Sequence, residues 1–173
     1  MSRKFNRVKL ESHAYDLIKR GKRRCLGRLL ARHRFLKSSD TAMLIFAAIW
    51  HNRSMITWLL GRGVSPDCRM GAEDNTPLMH LASMGDCEMI QILLRFGANP
   101  NLKNQSGETA LGFAVVWNHP RCAGLLISEG SDVHTTSDFR GKLTLLDSAI
   151  ISGFGEVSTI LRTAGAKRFD ELG

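Results

Sequence analysis

Histidine and cysteine are the residue types of this chain with the widest catalytic and metal-binding chemistry. The six histidines (His13, His33, His51, His80, His119 and His134) are scattered, and no pair stands at the spacing of zinc ligands. The four cysteines (Cys25, Cys68, Cys87 and Cys122) include no C-x-x-C pair. A nucleophilic thiol needs a neighbouring base, a group to orient that base, and a site for the oxyanion. Cys87 and His119 fall at equivalent turns of adjacent units, so their side chains can approach, but no orienting group or oxyanion site accompanies them. The chain also lacks G-x-S-x-G, G-x-x-x-x-G-K-[ST] and H-E-x-x-H. These absences lead us to expect a non-enzyme with no cofactor and no metal. For the cysteines we expect four reduced thiols rather than a disulfide framework.

The elements that carry these residues repeat. Segment 75–101, NTPLMHLASMGDCEMIQILLRFGANPN, shifted by 33, places Thr109 under Thr76, Leu111 under Leu78 and Gly130 under Gly97. Glycines recur at Gly63, Gly97, Gly130 and Gly165, at spacings of 34, 33 and 35. Clear units occupy residues 40–67, 74–101, 107–134 and 141–167, and a degraded one occupies 12–33. A period of this length is the mark of a repeat architecture. The low aromatic content of 7% agrees, because stacked helices pack small and aliphatic side chains.

Each unit has one internal plan. A Thr starts a short first helix, as at Thr76-Pro77 and Thr109, where its hydroxyl accepts a free backbone N–H. Small residues follow at Ala47-Ala48, Ala82, Ala114 and Ala149, where neighbouring helices must come close. A turn comes at His51-Asn52, Gly85-Asp86, Asn118-His119 and Gly153-Phe154, with residues that tolerate a left-handed backbone. A second helix carries Leu59-Leu60, Leu93-Leu94 or Leu125-Leu126 and stops at a glycine. No alternating apolar and polar run long enough for a substantial strand occurs.

The unit 74–101, with T-P-L at Thr76, Pro77 and Leu78, Gly85, Leu93-Leu94 and Gly97-Ala98-Asn99, resembles the ankyrin repeat. The resemblance covers about residues 10–168 and implies an all-α solenoid of five helix-turn-helix units joined by finger loops, the first and last acting as caps. Leu81 stands where Ala is usual and Met79 where His is usual. The last finger, 131–141, is two residues longer, and the first unit lacks T-P-L. We divide the chain into a basic N-terminal extension (1–11), the repeat domain (12–168) and a C-terminal tail (169–173).

The resemblance implies a non-catalytic module that docks a protein partner on its concave face and fingers, as a scaffold, inhibitor or adaptor. At the end of the first helix the units read Arg20, Trp50, Met84, Trp117 and Ser152, preceded by Lys19, Ile49, Ser83, Val116 and Ile151. Trp50, Met84 and Trp117 on successive units predict an apolar stripe with Ile49 and Val116 beside it, and Trp and Met suit interfaces. Finger candidates are Glu73, Asp74, Asn75, Gln105, Ser106, Glu108, Asp138 and Arg140. Trp58 falls on a core position of a second helix and reads as structural.

Charge is concentrated at one end. Residues 1–37 hold thirteen Lys and Arg against two acids, a net of +11, whereas the rest carries −3. Lys19, Arg20, Lys22, Arg23 and Arg24 form the centre of this patch, extended by Arg28, Arg32, Arg34 and Lys37. Interleaved Leu17, Ile18, Cys25, Leu26, Leu29 and Leu30 suit a charged outer cap on the stack. Nucleic acid or an acidic protein is the alternative partner for this end. The N-terminal segment lacks the apolar core of a signal peptide, and the longest apolar run, 42–50, falls far short of the ~18 residues of a membrane span. We therefore expect a soluble, monomeric, cytoplasmic protein, with a nuclear or secreted-effector destination as the alternatives.

Overall fold

A computed structural model describes residues 2–32, 40–69, 71–137 and 143–171. Among the described residues five helix pairs follow one another: α1 (Ser2–Lys19) and α2 (Arg23–Arg32), α3 (Asp40–Ile49) and α4 (Arg53–Leu60), α5 (Pro77–Met84) and α6 (Cys87–Arg95), α7 (Ala110–Val116) and α8 (Pro120–Ser128), then α9 (Leu145–Ile151) and α10 (Gly155–Thr163). The degraded first unit is thus a complete pair. Its α1 runs without a break through the boundary expected between extension and repeats at residue 12.

The first helices α1, α3, α5, α7 and α9 pack side by side in chain order, and α6, α8 and α10 pack in order behind them. Close approach follows from the small residues. Ala47, Ala48, Ala82, Ala114 and Ala149 are all fully buried. Met79 is buried too, so the positions that depart from the family pattern serve the core. Its sulfur accepts the Thr76 N–H at 3.4 Å while the Thr76 hydroxyl accepts the Met79 N–H at 3.3 Å, closing the start of α5. Thr109 and Thr144 cap α7 and α9 through the N–H groups of Gly112 and Asp147, at 3.2 and 3.1 Å.

The turn after each first helix holds one left-handed residue. Gly21, Gly85 and Gly153 take this role in three units, and His51 and Asn118 take it in the others at φ 50° and 55°. An Asn or His there accepts a strained backbone that most side chains avoid, and both turns also supply polar links to the neighbouring unit. Asn52 donates from Nδ2 to the Ile18 carbonyl at 2.7 Å, and the His119 ring nitrogen Nε2 lies 3.0 Å from the Ser83 carbonyl.

The last finger differs from the others in hydrogen bonding. β1 (Thr136–Ser137) and β2 (Leu143–Thr144) pair antiparallel, Thr136 opposite Thr144 and Ser137 opposite Leu143. Asp138 and Arg140, named from the sequence as finger contacts, lie outside the described residues, as do His33, Arg34 and Lys37. The described residues end on a short 3-10 helix, Phe169–Glu171, within the segment that the sequence reading treated as a tail. Among the described residues no helix is long and apolar enough to cross a membrane.

Candidate functional site

The exposed ends of the first helices concentrate the apolar surface. Trp117, directly after α7, is 59% exposed, and Ile151, at the end of α9, is 63% exposed. Ile49 and Ile150 are each 36% exposed. The three residues of the expected stripe therefore separate. Trp50 is half-buried because its ring stacks on Phe46 at 5.2 Å, and Phe46 in turn meets Tyr15 of the first unit at 4.5 Å. Met84 is half-buried in the wall of a groove, and Val116 is half-buried beside Trp117. Two further exposed apolar residues lie outside the first helices, Phe96 after α6 and Phe169 in the segment after α10, and Ile151 is the addition that a Trp-and-Met reading passes over. Its signal was its place in the same column as Ile49 and Val116.

The finger residues mostly hold one another. The Gln105 N–H donates to the Glu73 carbonyl at 3.0 Å, and the Ser106 hydroxyl donates to the Glu73 carboxylate at 2.5 Å. Gln105 Nε2 donates to Asp74 at 3.4 Å, and Asn104 Nδ2 donates to Asn75 Oδ1 at 2.8 Å. Glu108 is corrected outright: it is 1% exposed, so it belongs to the interior and not to a contact surface. Its position sequence-adjacent to the α7 cap hid this, because a loop acid ordinarily faces water. Glu73 and Gln105 remain exposed, and Asn75 is half-buried.

Lys19, Arg20, Lys22, Arg23 and Arg24 are all exposed. Arg20 is paired with Asp16 at 2.9 Å. α2 turns Leu26 and Leu30 inward and leaves Arg24, Arg28 and Arg32 exposed one helical turn apart; it contains no acid. Trp58 is half-buried and packs against α2, so that a side chain at Gly27 would meet its ring at 3.5 Å, and the Arg62 guanidinium lies 4.8 Å above the ring. This is the structural role read from the sequence.

On the turn side, a groove of about 500 Å3 is lined by His51, Met84, Asp86, Cys87, His119 and Cys122 with their neighbours. His51 Nδ1 lies 2.7 Å from Asp86, and Arg53 donates to Glu88 at 3.3 Å, each linking the second unit to the third. Cys87 and His119 do share this groove. The His119 ring, however, lies over Gly85 rather than forming a catalytic pair. Cys87 is disulfide-bonded to Cys122, which corrects the expectation of four free thiols. The signal was available: the two residues stand 35 apart, two more than the 33-residue shift between their units, and so fall near the starts of equivalent helices. Cys25 is exposed and Cys68 is buried; burial pushes the Cys68 thiol up to about 12, too high for a nucleophile at neutral pH.

The final unit carries one further polar cluster. Asp147 is buried and accepts the Thr144 hydroxyl at 2.8 Å, the Arg168 guanidinium at 2.9 Å and the Phe169 N–H at 2.8 Å. Burial acts to raise its pKa, but these donors outweigh it and hold the carboxyl below the usual range. Nothing local in the sequence links Asp147 to residues more than twenty positions away. Among the described residues, no three His, Cys, Asp or Glu side chains are grouped to hold a metal ion.

Comparison with known proteins agrees with this geometry. A family model described as ankyrin repeats (3 copies) matches residues 44–137 and 78–167. The chain is 32% identical over 126 residues to ankyrin repeat and SOCS box protein 11 of Mus musculus, covering 71% of the chain and 38% of that protein. It is 35% identical over 91 residues to a glycerophosphocholine phosphodiesterase of Schizosaccharomyces pombe, covering 52% of the chain and 8% of that protein. It is 34% identical over 83 residues to a putative ankyrin repeat-containing protein of Treponema pallidum, covering 48% of the chain and 28% of that protein. The chain thus spans well under half the length of each of these relatives.

Proposed function

Because the chain belongs to the ankyrin-repeat family, we propose that it is a non-catalytic interaction module that docks a protein partner on the exposed first-helix surface around Trp117. The carrying observation is the 59% exposure of this tryptophan, with Ile150 and Ile151 on the next unit. A side chain that loses so much apolar surface on contact is the kind that dominates interface energetics. Ile49 and Val116 extend the surface, Met84 and Trp50 support it from the groove and the aromatic stack, and Glu73, Asn75 and Gln105 give it a polar rim. The scaffold is formed before the partner arrives, so docking orders few groups and more of the contact energy appears as affinity. As a monomer with this surface, the module would act as an inhibitor or adaptor.

The test is quantitative capture of partners from lysate of the native cell on immobilised protein. Trp117→Ala is expected to lower capture of the principal partner more than tenfold with an unchanged helical circular-dichroism spectrum. Equal capture by the variant would overturn the reading.

The second reading concerns the other end. The row Arg24, Arg28, Arg32 on an acid-free helix, with Lys19, Lys22 and Arg23 nearby, favours a polyanion, either nucleic acid or an acidic protein face.

A further inference from the structure

We infer that Cys87 and Cys122 form a reversible thiol–disulfide exchange site, which takes low-molecular-weight disulfides and thiols and clamps the third unit to the fourth. The geometry comes from the repeat. Cys87 is the first residue of α6, and Cys122 lies in the first turn of α8. Stacking of the third unit on the fourth brings their Cα atoms to 5.1 Å, within the range a disulfide spans. The bond therefore crosses between units at the starts of two adjacent second helices, a junction otherwise joined here by the His119–Ser83 link.

Access is unequal in a way that sets the order of events. Both residues line the turn-side groove, but Cys122 is 1% exposed while Cys87 is half-buried. Cys87 is therefore the sulfur that an incoming molecule reaches. Cys87 stands at the start of α6, and Arg121 also lines the groove. Of the flanking acids, Asp86 lies 2.7 Å from His51 and Glu88 lies 3.3 Å from Arg53. The reduced state also has a place to rest, because Cys87 Sγ lies 3.7 Å from the Gly85 carbonyl, which can accept its S–H.

In the oxidising direction the Cys87 thiolate attacks one sulfur of a small disulfide RSSR. A Cys87–SR bond forms and one thiolate leaves. The Cys122 thiolate then attacks Cys87 Sγ, breaking the Cys87–SR bond and releasing the second thiolate. The two cysteines lose two electrons to RSSR, and their two protons end on two molecules of RSH. Reduction is the same sequence reversed, beginning with attack of a small thiolate on Cys87 Sγ.

The experiment uses the full chain carrying Cys25→Ser, which removes the exposed thiol, in buffers of oxidised and reduced glutathione. Millimolar oxidised glutathione should yield a Cys87–Cys122 peptide in a non-reducing digest, and excess reduced glutathione should remove it. The melting temperature should be roughly 5–10 °C higher in the oxidised form. Cys87→Ser should abolish both the peptide and the redox dependence of melting, and comparison of the unsubstituted pair in the two buffers keeps the test independent of how well that variant folds. Free Cys87 and Cys122 after oxidation would overturn the inference. So would a persistent Cys87–glutathione adduct, or a disulfide that leaves the melting temperature unchanged.

Discussion

At the scale of single residues, the turn between α5 and α6 shows two demands meeting at one position. Gly85 has φ 71°, and a Cβ there would lie 2.6 Å from the His119 Nδ1. Gly153 occupies the same turn of the last unit at φ 72° with nothing within 4 Å. Gly153→Ala carries only the backbone cost of a left-handed residue, about 1 kcal/mol. Gly85→Ala carries that cost and also displaces a ring held against the Ser83 carbonyl, for a total of about 2–3 kcal/mol. Denaturant midpoints of the two variants check this, and equal losses would show that the His119 contact contributes nothing. The glycine itself was legible in the sequence as a helix stop. That a histidine from the next unit fills the space above it was not, because the contact depends on the distance between stacked turns.

At the scale of elements, the last helix pair is completed by the segment after α10 folding back on α9. The first turn of α9 presents Asp147, and the segment after α10 supplies Arg168 and the Phe169 N–H to it. This linkage makes stability depend on pH in a definite direction. The folded pKa of Asp147 lies below its unfolded value, so its contribution is present above about pH 4 and is lost as pH falls through the folded value. In α5, burial lowers the pKa of His80, so the folded chain keeps that ring neutral while the unfolded chain protonates. Stability therefore also declines as pH falls below about 6.5. Denaturant midpoints measured from pH 8 to pH 3 should fall in both windows. Asp147→Asn should flatten the lower one and leave the upper one in place; an unchanged lower slope would remove Asp147 from the account. The Thr caps and buried alanines were readable from the period alone, since the caps act within one unit and the alanines recur at one position of each. The α9-to-terminus link was not, since it joins segments of different periodic phase.

At the scale of the whole molecule, the chain is a line of units with different ends. The first unit carries the positive charge and the middle and last units carry the exposed apolar side chains. The two candidate surfaces are therefore separable by measurement. Retention on immobilised heparin or DNA at low salt should be strong if the arginine row of α2 contacts phosphates, and should fall steeply with salt, by about one power of salt concentration for each phosphate neutralised. Replacing Arg24, Arg28 and Arg32 by Ser should abolish retention, while Trp117→Ala should leave it unchanged. Absence of retention at low salt would leave the basic end as an outer cap, the role a terminal repeat requires for solubility.

The sequence by itself determined the repeat, its period, the five units, the position of nearly every turn and the buried small residues. These follow from local rules applied once per unit: a cap, a stripe of apolar spacing, and a residue that accepts a left-handed backbone. Tertiary structure alone decided which surface residues remain exposed after neighbouring units stack. It packed Tyr15 of the first unit on Phe46 of the second, buried Glu108, joined Glu73 to Ser106, paired Cys87 with Cys122, and left Trp117 and Ile151 in the open. The physical reason is that exposure and pairing are properties of contacts between units, set by side-chain volumes on two chain segments about one period apart, and a pattern read along one segment contains only half of each contact.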